Sequence, residues 1–277
     1  VANRKIDARV GQLVLWAWLL VSLIPVVFMV VTSLKPPGVA TSVPPTWLFR
    51  PTLDNYAMVL TGGGTGQAFA PLVLNSVIVT VGSTILTILL AVPAAYALSL
   101  REFRPRRFLS SWILSTYMFP PMVSVVPLFI LAGNLGLFDT YPILIVPYAA
   151  INLPIAVWIL RSSILQIPYA IQEAAMLDGL TRWGILRRVL WPLLVPSVAT
   201  AAILTAILSW NEFLLALSLT RQDAKTAAVG IMEFTGMFGT DWGLLTAAST
   251  VIVAPIIVLT LVLRRRIISG LTFGAVK

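Results

Sequence analysis

Long apolar runs separated by short polar stretches dominate this chain. A helix needs about 20 consecutive apolar residues to cross a bilayer. Six runs approach or exceed that length: Leu13–Leu34, Leu72–Leu100, Phe108–Leu131, Tyr141–Leu160, Leu193–Leu219 and Gly243–Leu263. The pattern predicts an all-α membrane protein with six transmembrane helices. It shows no separate soluble domain and no repeat of solenoid length. The first run is too long for a cleavable signal peptide, and no small-residue cleavage site follows it, so none is expected.

Composition sharpens this picture. Hydrophobic residues make up 58% of the 277, and mean hydropathy is +0.95. Soluble domains hold about 45–50% apolar residues by a similar count and about 25% charged ones. Here charged residues are 10%, too few to cover a water-soluble globule, so lipid is the fitting solvent. The chain has no His and no Cys. Disulfides, thiol chemistry and cysteine metal sites are thereby excluded, and the commonest metal ligand and neutral-pH proton carrier is missing.

The net charge of +9 raises the question of nucleic acid, but its distribution answers otherwise. With the N-terminus in the cytoplasm, the inner segments hold Arg4, Lys5, Arg9, Arg101, Arg104, Arg106, Arg107, Arg161, Arg182, Arg187, Arg188, Arg264, Arg265, Arg266 and Lys277. Only Lys35, Arg50, Arg221 and Lys225 fall outside. Cytoplasmic loops carry the excess of Lys and Arg, so both termini are expected in the cytoplasm. Trp16, Trp112, Trp158 and Trp191 near inner helix ends, with Trp210 and Trp242 near outer ones, suit the headgroup level.

The third and fourth runs carry Pro120, Pro121, Pro127, Pro142, Pro147 and Pro154. Each proline removes a backbone donor and tends to kink its helix. In lipid the freed carbonyls need partners in neighbouring helices or a wet cavity. The outer loop contains Gly62-Gly63-Gly64-Thr65-Gly66, but no Gly-Lys-Ser/Thr follows and no strand precedes it. It reads as a flexible loop, and the chain carries no recognisable nucleotide site.

The segment between the fourth and fifth runs is the most informative. Pro168 suits a first helical turn and Gly179 the left-handed residue that ends a helix. A helix of about ten residues is therefore expected between them. Ile171, Ala174, Ala175 and Asp178 share a face by their spacing, and the alanines would let another chain approach closely. A second helix follows from Thr181, with Trp183, Leu186 and Val189 on one side and Arg187 and Arg188 on another, as in a helix lying at a membrane surface.

Glu173-Ala174-Ala175, three residues, Gly179, nine residues and Val189-Leu190-Trp191-Pro192 resemble the signature loop of permeases of binding-protein-dependent ABC importers. The family pattern has Ile at the position of Val189 and Leu at that of Trp191, and both departures keep apolar character. Thr32-Ser33-Leu34-Lys35-Pro36, Asn75-Ser76, Pro93-Ala94-Ala95-Tyr96-Ala97, Trp210-Asn211-Glu212-Phe213 and Gly270-Leu271-Thr272 with Gly274-Ala275-Val276-Lys277 are similar to the smaller permease of maltose-type carbohydrate importers.

That resemblance implies a type I ABC importer permease fold in one transmembrane domain, 1–277. Within it lie a cytoplasmic coupling loop, 161–191, and a cytoplasmic tail, 264–277. It implies no catalysis on this chain, with ATP and Mg bound by a partner. Expected partners are a second, different permease, two ATPase subunits, an extracytoplasmic solute-binding protein and the bilayer of a bacterial or archaeal inner membrane; nucleic acid is not among them. The coupling residues it implies are Glu173, Ala174, Ala175 and Gly179, and helix geometry adds Asp178. Sugar cargo calls for polar partners and an aromatic face. Asn75, Asn152, Asn211 and Glu212 are the buried polar candidates, with Tyr117 as a stacking ring. Glu212 is the one acidic residue inside a run. A charge at the bilayer centre costs about 2.5–3.5 kcal/mol, so Glu212 reads either as a polar group at the outer end of the pathway or as an interhelical hydrogen bond. Cargo of the glycerol phosphate or polyol type is the alternative. An ion-driven carrier would need more intramembrane charge than Glu212 supplies.

Overall fold

The computed structural model describes residues 2–42, 44, 46–63, 67–100, 103–236 and 239–272, with backbone alone for 2–10, 236, 239 and 262–272. Gly64-Thr65-Gly66, Arg101 and Gly274-Ala275-Val276-Lys277 lie outside the described residues, as do the side chains of Arg4, Lys5, Arg9 and Arg264–Arg266. Helices α1 (Ala2–Ser33), α2 (Asp54–Thr61), α3 (Phe69–Ala97), α4 (Arg106–Thr116), α5 (Met122–Leu135), α6 (Tyr141–Gln166) and α7 (Tyr169–Leu177) come first. A helical run then joins α8 (Arg182–Gly184), a π-helical stretch (Ile185–Leu190) and α9 (Trp191–Trp210). The short α10 (Leu214–Leu219) and α11 (Ala227–Gly230) precede a 3-10 turn (Ile231–Phe234), and α12 (Trp242–Thr272) closes the described chain. Between the last two lies the one described strand pair, β1 (Thr235–Gly236) antiparallel to β2 (Gly239–Thr240).

Among the described residues, five helices are long and apolar enough to cross a membrane: Gly11–Ser33, Phe69–Ala97, Tyr141–Gln166, Arg182–Trp210 and Trp242–Leu261. The expected third helix is broken. Helix α4 closes at Thr116, where tight turns from Met118 N–H to the Ser115 carbonyl and Phe119 N–H to Thr116 (both 3.1 Å) end it. Pro120 and Pro121 supply no N–H to continue it, and a proline disfavours helical backbone at the residue before it. The expected fifth helix, Leu193–Leu219, is also displaced. It begins at Arg182, so Trp183 to Leu190 form the first turns of a span rather than a separate surface helix. It ends at Trp210, and α10 restarts after Glu212.

The chain forms two compact units. The first comprises Val1–Pro71 and Ile231–Ala254. From Gly11 to Phe28 every side chain of α1 is exposed, as lipid or a second chain requires. Beyond α1 the unit is locked by Asn55, whose amide donates to the Ser33 and Lys35 carbonyls, each at 2.8 Å. Gly243 lets α12 pack on that amide, since a Cβ there would sit 3.1 Å from it. Lys35 is buried, with its ammonium 5.8–6.0 Å from the ring centres of Phe28, Trp47 and Phe49. Three aromatic rings give the buried ammonium favourable electrostatic partners.

The second unit comprises Leu72–Gly230 and Pro255–Lys277. Helices α6 and α9 pack along each other, and α3 joins them through Gly82, where a Cβ would meet Ile145 at 2.8 Å. Small residues allow such approach between apolar helices. Ser83 on α3 donates to Ser209 on α9 at 3.0 Å, and Asn152 on α6 donates to the same Ser209 at 3.1 Å. Asp139, in left-handed backbone (φ 60°), clasps the loop that follows α10. Its carboxylate accepts the N–H groups of Arg221, Gln222, Asp223 and Ala224 at 2.9–3.1 Å. Burial pushes its pKa up, but those four amides outweigh burial and hold it below the usual carboxylate value. The clasp is therefore complete above the ordinary aspartate pKa and is lost as pH falls through the depressed folded value. Asp139→Asn is expected to destabilise the protein by about 1–3 kcal/mol at neutral pH. The gap in melting temperature from the parent chain should close in strong acid; an unchanging gap would contradict the clasp.

Candidate functional site

The loop after α6 takes the form its punctuation dictates. Pro168 precedes α7, which runs for nine residues, and Gly179 ends it in left-handed backbone at φ 80°. Leu180 N–H donates to Ala175 and Gly179 N–H to Met176, both at 3.0 Å, the paired bonds of a Schellman motif. The Thr181 hydroxyl then accepts from Gly184 N–H at 3.2 Å and caps the next helical run.

The faces of α7 differ in part from the expected ones. Ala175 is 5% exposed and Gln172 equally buried, both turned into the chain's own core, where Ala175 packs with Ile164, Ile185 and Leu190. Ala175 therefore lets α7 approach its own protein, not another chain. The outward face carries Ala170, Ile171, Glu173, Ala174 and Asp178, together with Leu177 at 89% exposed. Leu177 was missed by sequence reasoning, although its spacing from Ile171 and Ala174 places it beside them on one face. Leu177, Ile171 and Ala174 together give the outward face of α7 an apolar strip beside Glu173 and Asp178.

The second feature is a cavity of about 490 Å³ in the unit of residues 72–230. It is lined by Tyr117, Phe119 and Pro121 from the break between α4 and α5, by Tyr148, Asn152 and Pro154 of α6, and by Glu212. Broken backbone at membrane depth is tolerated where it lines such a space. Three of the five expected pathway residues, Tyr117, Asn152 and Glu212, thus share one cavity. Glu212 caps α10, its carboxylate accepting Leu215 N–H at 3.0 Å and Ala216 N–H at 3.3 Å. Neither expected role describes that local bond. The buried Tyr148 hydroxyl lies within the carboxylate's field. Tyr148 carried no sequence signal beyond its type.

Asn75 and Asn211 lie elsewhere. The Asn75 amide donates to the Asp223 and Lys225 carbonyls (2.8 and 2.9 Å) and accepts from the Tyr141 hydroxyl (2.8 Å), a saturated clamp on the 223–225 loop. Asn211 is exposed and donates back to the Ile207 carbonyl at 2.7 Å.

Residues 87–272, which include both α7 and the cavity, match the family described as the binding-protein-dependent transport system inner membrane component. The chain belongs to this family. It is 40% identical over 262 residues to the trehalose transport system permease protein SugB of Mycobacterium tuberculosis, covering 92% of this chain and 93% of that protein. It is 36% identical over 261 residues to the trehalose/maltose transport system permease protein MalG of Thermococcus litoralis, with 93% and 92% covered. Its fold matches a chain in the crystal structure of a bacterial ABC transporter involved in import of the acidic polysaccharide alginate. The TM-score is 0.79 at 22% identity, over 96% of this chain and 98% of that one. As a family member it is a multi-pass inner membrane transport component, and the exposed apolar surfaces of α1, α4 and α5 belong to that setting.

Proposed function

We propose that this chain is the permease subunit of an ATP-driven importer of a sugar or oligosaccharide, forming half of the translocation pathway. The relatives named for trehalose and maltose support the cargo class. The observation that carries the coupling role is the outward face of α7, with Leu177 bare at its end and Gly179 fixing its exit. In this reading α7 docks in a cytoplasmic ATPase, which binds ATP and Mg. One chain supplies one such helix, so an ATPase pair requires a second permease. Closure of the ATPases draws the permease pair from inward-facing to outward-facing, and an extracytoplasmic binding protein delivers the solute. Tyr117 offers the cavity a ring for stacking on a sugar, Asn152 an amide and Glu212 a carboxylate. The sixth membrane crossing is made by α4 and α5 together across their proline break.

Uptake of labelled trehalose and maltose by cells carrying the complete importer tests this function. Uptake is expected with an intact ATPase and absent with a hydrolysis-dead one; equal uptake in both would indicate an ion-driven carrier. The orientation is testable because the chain has no Cys. Asp178→Cys should react with an impermeant maleimide in inside-out vesicles, and Gln222→Cys in right-side-out ones. The opposite pattern would overturn the cytoplasmic placement of α7.

A further inference from the structure

The ends of α3, α4 and α6 meet the start of α7 around a second cavity of about 510 Å³. Arg106, Arg107 and Arg161 line it with Ser99, Tyr169 and Gln172. Arg161 Nε donates to the Leu98 carbonyl at 3.2 Å and Arg106 Nη1 to the Leu100 carbonyl at 2.9 Å. These bonds fix two guanidiniums at the carbonyl end of α3, and each keeps further N–H donors for another acceptor. Arg161 is partly desolvated and is repelled by Arg106. Among the described residues no carboxylate lines the cavity. Guanidiniums gathered in a sheltered space with donors to spare favour an anion that can take several N–H bonds at once.

We propose that this cavity holds the phosphate of an anionic phospholipid from the cytoplasmic leaflet. The inference rests on the orientation proposed above. The cavity lies where the apolar spans α3 and α6 end, which is headgroup level. Leu165 on its wall is exposed, as are Phe108 and Trp112 of α4, apolar side chains of the kind that acyl chains cover. Phosphate chemistry fits the planar forks of arginine, which bind it bidentately. Tyr169 and the buried Gln172 form the wall on the α7 side, so the bound headgroup braces the first turn of the coupling helix.

The test is native mass spectrometry of the full chain in mild detergent, titrated with phosphatidylglycerol, phosphatidylcholine or inorganic phosphate. The parent chain should retain phosphatidylglycerol over phosphatidylcholine. Arg107→Gln with Arg161→Gln should weaken that binding roughly thirtyfold, from the contribution of two basic residues to an anionic surface. Arg107→Lys with Arg161→Lys should recover part of it through charge alone, which a merely misfolded variant would not. Equal retention by the parent and the glutamine variant would overturn the proposal. So would displacement by equimolar inorganic phosphate, which would assign the cavity to a free anion. Loss of the ATPase from the purified glutamine variant with lipid binding intact would assign the arginines to a protein contact instead. Maleimide labelling reads orientation independently, so a wrong topology and a wrong ligand give different results.

Discussion

Gly179→Val is expected to cut ATP-driven solute uptake by about tenfold while leaving the amount of chain in the membrane unchanged. The cause is backbone alone. Nothing lies within 4 Å of a Cβ built at Gly179, so the new side chain clashes with no neighbour. The residue sits at φ 80°, however, and a β-branched residue is costly there. Relaxation of that angle unravels the Schellman bonds to Ala175 and Met176 and turns the outward face of α7 away from the ATPase proposed to bind it. Gly179→Asn is the control, because asparagine tolerates left-handed backbone, and it should transport nearly as well as the parent chain. Normal uptake by the valine variant would remove Gly179 from the coupling mechanism.

Glu212→Leu carries the second large effect, and it acts on stability and transport together. The substitution strips the acceptors from Leu215 N–H and Ala216 N–H, a loss of about 0.5–2 kcal/mol by analogy with other helix caps. It also removes the charge from the cavity beside Tyr148 and Asn152. Glu212→Gln separates the two roles, since its carbonyl still caps α10. The glutamine variant keeps one of the two acceptors, so it should regain part of the lost melting temperature and remain impaired in uptake. Parent-level uptake by Glu212→Leu would dismiss Glu212 from the pathway altogether.

Local punctuation was the most legible part of the sequence. Pro168 and Gly179 fix the limits of α7 through backbone preferences and Thr181 starts the next helical run through its hydroxyl cap, none of which needs tertiary context. The faces of α7 were less legible. Spacing grouped Ala175 with Ala174, but which of them turns inward depends on where Ile164, Ile185 and Leu190 lie. The breaks near Pro120 and Glu212 were hidden for a different reason. Hydropathy averaged over a run reports its fitness for lipid and is blind to two prolines, or to one carboxylate that turns back on its own backbone. The cavity joins residues from 117 to 212, and only folding shows that Tyr148 belongs to it while Asn75 clamps a loop instead.

Copurification shows whether α7 docks an ATPase. The complete importer is expressed with this chain as parent or as Glu173→Ala with Leu177→Asp, two exposed positions outside the core, and its subunits are counted by mass spectrometry. An ATPase and a second permease are expected with the parent chain, and loss of the ATPase alone with the variant. A parent chain that purifies by itself, or a variant that keeps its full complement of ATPase, would contradict it.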